Sequence, residues 1–120
     1  MKQHRYTPLD KSFVDDMKAS RESLKIVRLS SHKIYIGEFR EGQCTGKSIV
    51  IFKNGNIYEG MMDSNKRHGK GFYLQAGVGW FKGVFANDIK TEAGLEVVYN
   101  KWAFKGQFLN GLRHDKGLYL

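Results

Sequence analysis

The stretch YEGMMDSNKRHGKGFYL, residues 58–74, decides how the chain folds. It opens on an aromatic-x-glycine triplet, Tyr58-Glu59-Gly60, which returns at Tyr35-Ile36-Gly37, Phe81-Lys82-Gly83 and Phe104-Lys105-Gly106. The four starts lie 23 residues apart, with no insertion or deletion between them. A fixed period of this kind marks a repeat architecture, in which one small unit stacks on copies of itself.

Other places in the unit agree with this period. The fifth place holds Phe39, Met62, Phe85 and Phe108, all large and apolar. The eighth holds Gly42, Asn65, Asp88 and Gly111, the residue types that best tolerate positive φ, so a left-handed turn residue is expected there in every copy. The fourteenth holds Ser48, Gly71, Gly94 and Gly117. Short strand-like runs follow it at Ile49–Phe52, Phe72–Leu74, Leu95–Tyr99 and Leu118–Leu120. Each unit therefore reads as strand, tight turn, strand, loop. The aromatic, the glycine and the fifth-place residue fall at i, i+2 and i+4, on one face of a strand. The glycine leaves a hollow that an aromatic ring from a neighbouring strand is expected to fill. A lone hairpin is barely stable in water, whereas stacked hairpins share one aromatic stripe and become stable together.

Upstream, Lys25–Leu29 stands 23 residues ahead of Ser48–Phe52 and reads as the second strand of a degenerate half-repeat over residues 24–34. Residues 1–23 follow a different pattern. Thr7-Pro8-Leu9-Asp10 offers an N-cap, a proline at the first helical position and an early acid. Leu9, Phe13 and Met17 then recur at helical spacing, so a short amphipathic helix is expected over about Pro8 to Ser20. Its apolar side would pack on the sheet as a cap or dock on a partner.

The repeat resembles the MORN (membrane occupation and recognition nexus) repeat, whose pattern runs Y-x-G-x-[WF]-x-x-G-x-x-x-G-x-G before a second strand. Tyr58-Glu59-Gly60 through His68-Gly69-Lys70-Gly71 is similar to it almost throughout, and the likeness spans residues 35–120. Departures are Ser48 for glycine in the first unit, Thr91-Glu92 for the His-Gly pair in the third, and Asp115 for a glycine in the fourth. The resemblance implies an all-β protein: an elongated, twisted antiparallel sheet of stacked hairpins curled into a half-pipe, here with one short N-terminal helix. It also implies scaffolding roles, frequent in cytoskeletal and ciliary assemblies, and contact with acidic phospholipids in some relatives.

Composition bears on partners. The formal net charge is +8, and residues 24–120 carry fifteen basic against eight acidic side chains, so the excess sits on the repeats. That sign favours acidic protein surfaces or anionic lipid headgroups. Nucleic acid is not the expected partner, because the aromatics that would stack on bases occupy places the repeat itself uses. Cys44 is the sole cysteine, and no apolar run approaches the length of a membrane span. Residues 1–23 lack the apolar core of a secretory signal, and Asp10, Asp15 and Asp16 argue against an acid-poor presequence. An intracellular site is expected, cytoskeletal or ciliary first, with an accessory subunit of a mitochondrial complex as the alternative.

Three stretches resemble chemical motifs. Gly42-Gln43-Cys44-Thr45-Gly46-Lys47-Ser48 looks like a P-loop, but has three residues between its glycines where four are needed, and a β-branched run where a helix should start. His68 and His114 occupy the same place in units two and four, which suits turn packing better than a metal site. Cys44 has no histidine in its own unit to activate it. No catalytic, cofactor or metal residue is expected. The expected function is a non-catalytic structural or adaptor subunit that binds protein partners, with a peripheral module for anionic phospholipids as the alternative. Candidate contacts are Leu9, Phe13 and Met17 on the helix; Lys66, Arg67 and Lys70, clustered in one turn; and Leu118, Tyr119 and Leu120 on the terminal strand.

Overall fold

A computed structural model describes residues 24–30 and 32–120. They form one antiparallel sheet of nine strands in sequence order. The strands are β1 Leu24–Ser30, β2 Lys33–Arg40, β3 Gln43–Phe52, β4 Ile57–Asp63, β5 Lys66–Gln75, β6 Gly79–Ala86, β7 Ile89–Val98, β8 Trp102–Leu109 and β9 Leu112–Tyr119. The helix expected over residues 8–20, with Leu9, Phe13 and Met17, lies outside the described residues.

Each unit is a hairpin closed by a two-residue turn with both central residues at positive φ. These are Glu41-Gly42, Ser64-Asn65, Asn87-Asp88 and Asn110-Gly111, the seventh and eighth places. Two consecutive positive φ values give the type I′ geometry whose twist matches the flanking strands. The eighth-place residue also ties units together. Its N–H donates to the carbonyl of the tenth-place residue of the unit before: Asn65 to Cys44 at 3.0 Å, Asp88 to Arg67 at 2.9 Å, Gly111 to Lys90 at 3.1 Å. Where that residue has a side-chain oxygen, the bond is returned. Cys44 N–H donates to Asn65 Oδ1 and Arg67 N–H to Asp88 Oδ1, both at 2.8 Å. Turn chemistry thus builds the hairpin and sets the stacking.

The second strand of each unit is longer than its apolar run. Gly46 and Gly69 have φ of 109° and 103° and lie at register shifts inside β3 and β5, so the glycine-rich segment is bulged strand rather than loop. In the third unit Glu92 takes this place at φ 55°. A non-glycine residue held there costs on the order of 1 kcal/mol. Glu92→Gly should therefore raise stability by about 0.5–1 kcal/mol in urea unfolding, in spite of glycine's own entropy.

Most of the buried side chains lie on one face, while Glu59 and Phe72, paired across β4 and β5, are buried on the other. Tyr35, Val50, Tyr58, Met62, Phe81, Phe85, Phe104 and Phe108 are buried, and strand alternation puts them on one face. Their rings form a zigzag column: Tyr58–Phe85 at 5.5 Å, Phe85–Phe81 at 5.3 Å, Phe81–Phe108 at 4.9 Å and Phe108–Phe104 at 5.6 Å, all edge-to-face. Phe85 and Phe108 each bridge the first-place rings of their own unit and the unit before. Such contacts contribute about 0.5–1.5 kcal/mol each beyond the area they bury.

The glycine hollow is filled differently from the expectation: the ring comes from the same strand. Tyr58 folds over Gly60 and its cross-strand partner Gly71, and Phe81 covers the pair Gly83 and Gly94. A Cβ on Gly83 would stand 2.6 Å from Phe81 Cζ. The two glycines are paired across the hairpin, so together they make a floor on which the unit's own first ring lies flat. In the first unit Ser48 stands in the floor, and its Oγ lies 2.8 Å from the Cys44 sulfur.

Candidate functional site

The tenth place of the repeat holds Cys44, Arg67, Lys90 and Arg113. The last three project onto the aromatic face and reach back along their own strand toward the sixteenth-place residue. The Arg67 guanidinium lies 5.0 Å from the Tyr73 ring centre and 4.8 Å from that of Phe85. Lys90 Nζ lies 4.9 Å from the Phe81 ring centre and pairs with Glu96. Arg113 stacks on Trp102 at 4.0 Å, and its Nη1 donates to the Tyr119 hydroxyl at 2.8 Å. Each cation is therefore held over a ring, an arrangement that contributes about 0.5–2 kcal/mol depending on desolvation. Glu96 occupies the place where the neighbouring units carry Tyr73 and Tyr119, and it also faces Arg113 at 4.0 Å. Asp88 pairs with Arg67 at 3.2 Å.

In the first unit the short Cys44 takes the place of the cation, and a cavity of about 130 Å³ lies at this end of the groove. Lys33, Phe52, Tyr73, Arg67 and Asp88 are among its lining residues, with Tyr58 and Met62. Lys33 Nζ lies 5.4 Å from the Phe52 ring centre, so this end of the groove repeats the cation-on-ring theme with a residue from a different place. The groove is a row of cations and rings above a buried aromatic column, with Arg67 and Lys90 partly buried and Lys33 and Arg113 exposed.

Burial also sets protonation. It pushes the Tyr58 phenol well above its ordinary value, against a lowering by Arg67, and it raises the Cys44 thiol against the hydrogen bond from Ser48. Burial raises Tyr35 as well. Each folded value exceeds the ordinary one, so the neutral forms stabilise the fold fully below pH 9.0 and that contribution is lost as pH rises through and past 10.0. Urea midpoints should hold steady to about pH 9 and fall beyond it. Tyr58→Phe loses the 2.6 Å hydrogen bond to the Met61 carbonyl, about 1 kcal/mol, but should flatten the alkaline slope.

The expected contacts are redistributed by the structure. Lys66, Arg67 and Lys70 lie in strand β5 rather than in one turn, and only Arg67 joins the groove. Lys66 and Lys70 are exposed, and alternation puts them on the opposite face. Leu118 and Tyr119, at the end of the outer strand β9, and Leu120, just past it, are 61%, 57% and 69% exposed. Tyr119 turns to the aromatic face, where it meets Phe104 and Trp102, whereas Leu118 lies opposite Lys105 on the other face. The P-loop-like segment is the β2–β3 turn and strand β3, with no helix after it. His68 accepts a hydrogen bond from Asn87 N–H at 3.2 Å, a turn contact. Among the described residues no group of three or more His, Cys, Asp or Glu could hold a metal ion.

The MORN repeat profile matches residues 35–57, 58–77 and 104–120, together half of the chain. The chain belongs to the MORN-repeat family. No curated protein matches it. The third copy, beginning at Phe81, falls outside the matched spans although it forms the same hairpin, with Gly83 paired to Gly94. It leaves the MORN pattern at Thr91-Glu92, and its Glu96 ties Lys90 and Arg113 together. Of the groove cations only Arg67 stands among the contacts expected from sequence; Lys33, Lys90 and Arg113 do not. Setting the tenth places of the four units side by side would have found Lys90 with Arg67 and Arg113. Nothing local marks Lys33.

Proposed function

We propose that this MORN-repeat chain is a non-catalytic adaptor subunit of a larger intracellular assembly, and that it holds an acidic protein partner in the aromatic groove. The observation that carries this reading is the row of Arg67, Lys90 and Arg113, each stacked on groove rings and half-exposed, with side-chain exposures of 24%, 22% and 37%. A cation so placed is partly desolvated and preoriented, which strengthens its attraction for a carboxylate and lowers the entropy lost on binding. Neighbouring rings provide the large rigid contact area typical of binding hot spots. Basic groove and acidic partner suit a cytoskeletal or ciliary assembly, where acidic filament surfaces are abundant. A mitochondrial complex is the alternative setting.

A second reading has its own support. Lys70, Lys82 and Lys105 are exposed on the opposite face, beside Trp80 and Leu95, so a basic and partly apolar surface faces away from the groove. Such a surface suits an anionic bilayer, at about 1 kcal/mol per basic residue near the headgroups.

One comparison separates the two. Arg67→Gln/Lys90→Gln/Arg113→Gln and Lys70→Gln/Lys82→Gln/Lys105→Gln remove equal charge from the two faces. Affinity purification from cells, with mass spectrometry, should give the same protein set for wild type and the lysine variant, and lose it for the groove variant. Loss with the lysine variant alone, together with its failure to sediment with phosphatidylserine vesicles, would replace the adaptor reading by the lipid one.

A further inference from the structure

Resting on the adaptor reading, we propose that the groove takes an extended peptide segment carrying an acidic side chain at every third residue. The geometry starts from the repeat. Arg67, Lys90 and Arg113 sit on β5, β7 and β9, so successive cations are two strands apart. Adjacent strands are spaced by about 4.8 Å, which puts successive cations roughly 10 Å apart along the groove. A polyproline-II segment rises about 3.1 Å per residue with three residues per turn, so its side chains at i, i+3 and i+6 point the same way about 9 Å apart. The two periods match within about 1 Å per repeat. A β-strand fails on direction, since i and i+3 point to opposite faces. An α-helix advances about 10 Å in six to seven residues, and meets the row only at heptad spacing.

The surface between the cations fits the same ligand. Tyr73, Trp102 and Tyr119 are partly exposed rings placed between or beside the charges. Grooves lined with aromatics hold polyproline-II segments by packing on the residues between the specificity contacts. Asp88 and Glu96 already satisfy the cations in part, and so act as internal stand-ins for the ligand carboxylates. Glu96 serves two cations, Lys90 and Arg113, so its charge opposes any carboxylate arriving there. This gives a variant that should gain function: Glu96→Gln releases both cations without touching the ring column.

Fluorescence anisotropy with the full chain and synthetic peptides tests the proposal. The first peptide repeats Glu-Pro-Ala, the second has the same composition with its glutamates adjacent, and the third has glutamine for every glutamate. The first should bind on the order of tenfold more tightly than the second, and the third should not bind. Binding of the first should tighten on the order of fivefold for Glu96→Gln. It should be lost for the groove triple variant and kept for the Lys70/Lys82/Lys105 variant. Equal binding of the first two peptides overturns the spacing inference and leaves the acidic-partner reading standing. Preference for a helical peptide with heptad-spaced acids overturns the spacing inference in the same way. No binding by any acidic peptide, with a groove variant that still retains its cellular partners, overturns both.

Discussion

Phe81→Ala is expected to remove about 4 kcal/mol of stability. The side chain is 1% exposed, near the middle of the ring column. Its loss takes away the buried ring itself, two edge-to-face contacts with Phe85 and Phe108, and the cover over Gly83 and Gly94. The cavity cannot collapse easily, because paired glycines beneath it have no side chains to move in. A domain of this size has about 5–15 kcal/mol in all, so the variant should be close to unfolded at physiological temperature. Tyr73→Ala is the comparison, since Tyr73 is a partly exposed ring on the rim. It should cost about 1 kcal/mol. Urea unfolding of the two variants checks the order. Equal losses would mean that the column is not the core.

Gly94→Ala should cost about 3 kcal/mol, for the opposite reason. Added methyl carbon would stand 2.6 Å from Phe81 Cε1 and 2.7 Å from Cζ. The ring has nowhere to go, held on its far edges by Phe85 and Phe108. Backbone conformation is not the cause, because φ at Gly94 is outside the left-handed region. The combination Phe81→Ala/Gly94→Ala then has a definite outcome. With the ring gone the methyl has room, so the double variant should cost about the same as Phe81→Ala alone. A coupling energy of about 2–3 kcal/mol is predicted between two residues on different strands. Additive losses would show that ring and glycine do not form one packing unit.

The unit length and the places of the rings were legible because a repeat without insertions puts equivalent residues in column. Gly42, Asn65, Asp88 and Gly111 showed where the left-handed turn residue falls, since few residue types tolerate it. The seventh place escaped notice because Glu41, Ser64, Asn87 and Asn110 have little in common by type, and positive φ is imposed on them by the turn. Strand lengths were underread for a related reason. Gly69 and Gly71 look like loop residues, yet one supports a bulge and the other a floor for Tyr58.

The groove was the hardest part to read. Arg67 was marked for its neighbours Lys66 and Lys70, but the strand sends those two to the other side. Its real companions are Lys90 and Arg113, far apart in sequence and adjacent only because hairpins stack. Glu96 looks like an ordinary surface acid until register sets it opposite Phe81, within reach of Lys90 and Arg113. Charge on a repeat protein is thus best read place by place, since neighbours in sequence point apart while residues one period away line up.

The aromatic face is the main core of this sheet and, as proposed, also its binding surface. The most direct test is an amide and side-chain NMR titration of the intact chain with the Glu-Pro-Ala peptide. Shifts are expected at Arg67, Tyr73, Lys90, Glu96, Trp102 and Arg113, with Lys70, Lys82 and Lys105 unmoved. Shifts centred on those three lysines, with the groove residues silent, would contradict it.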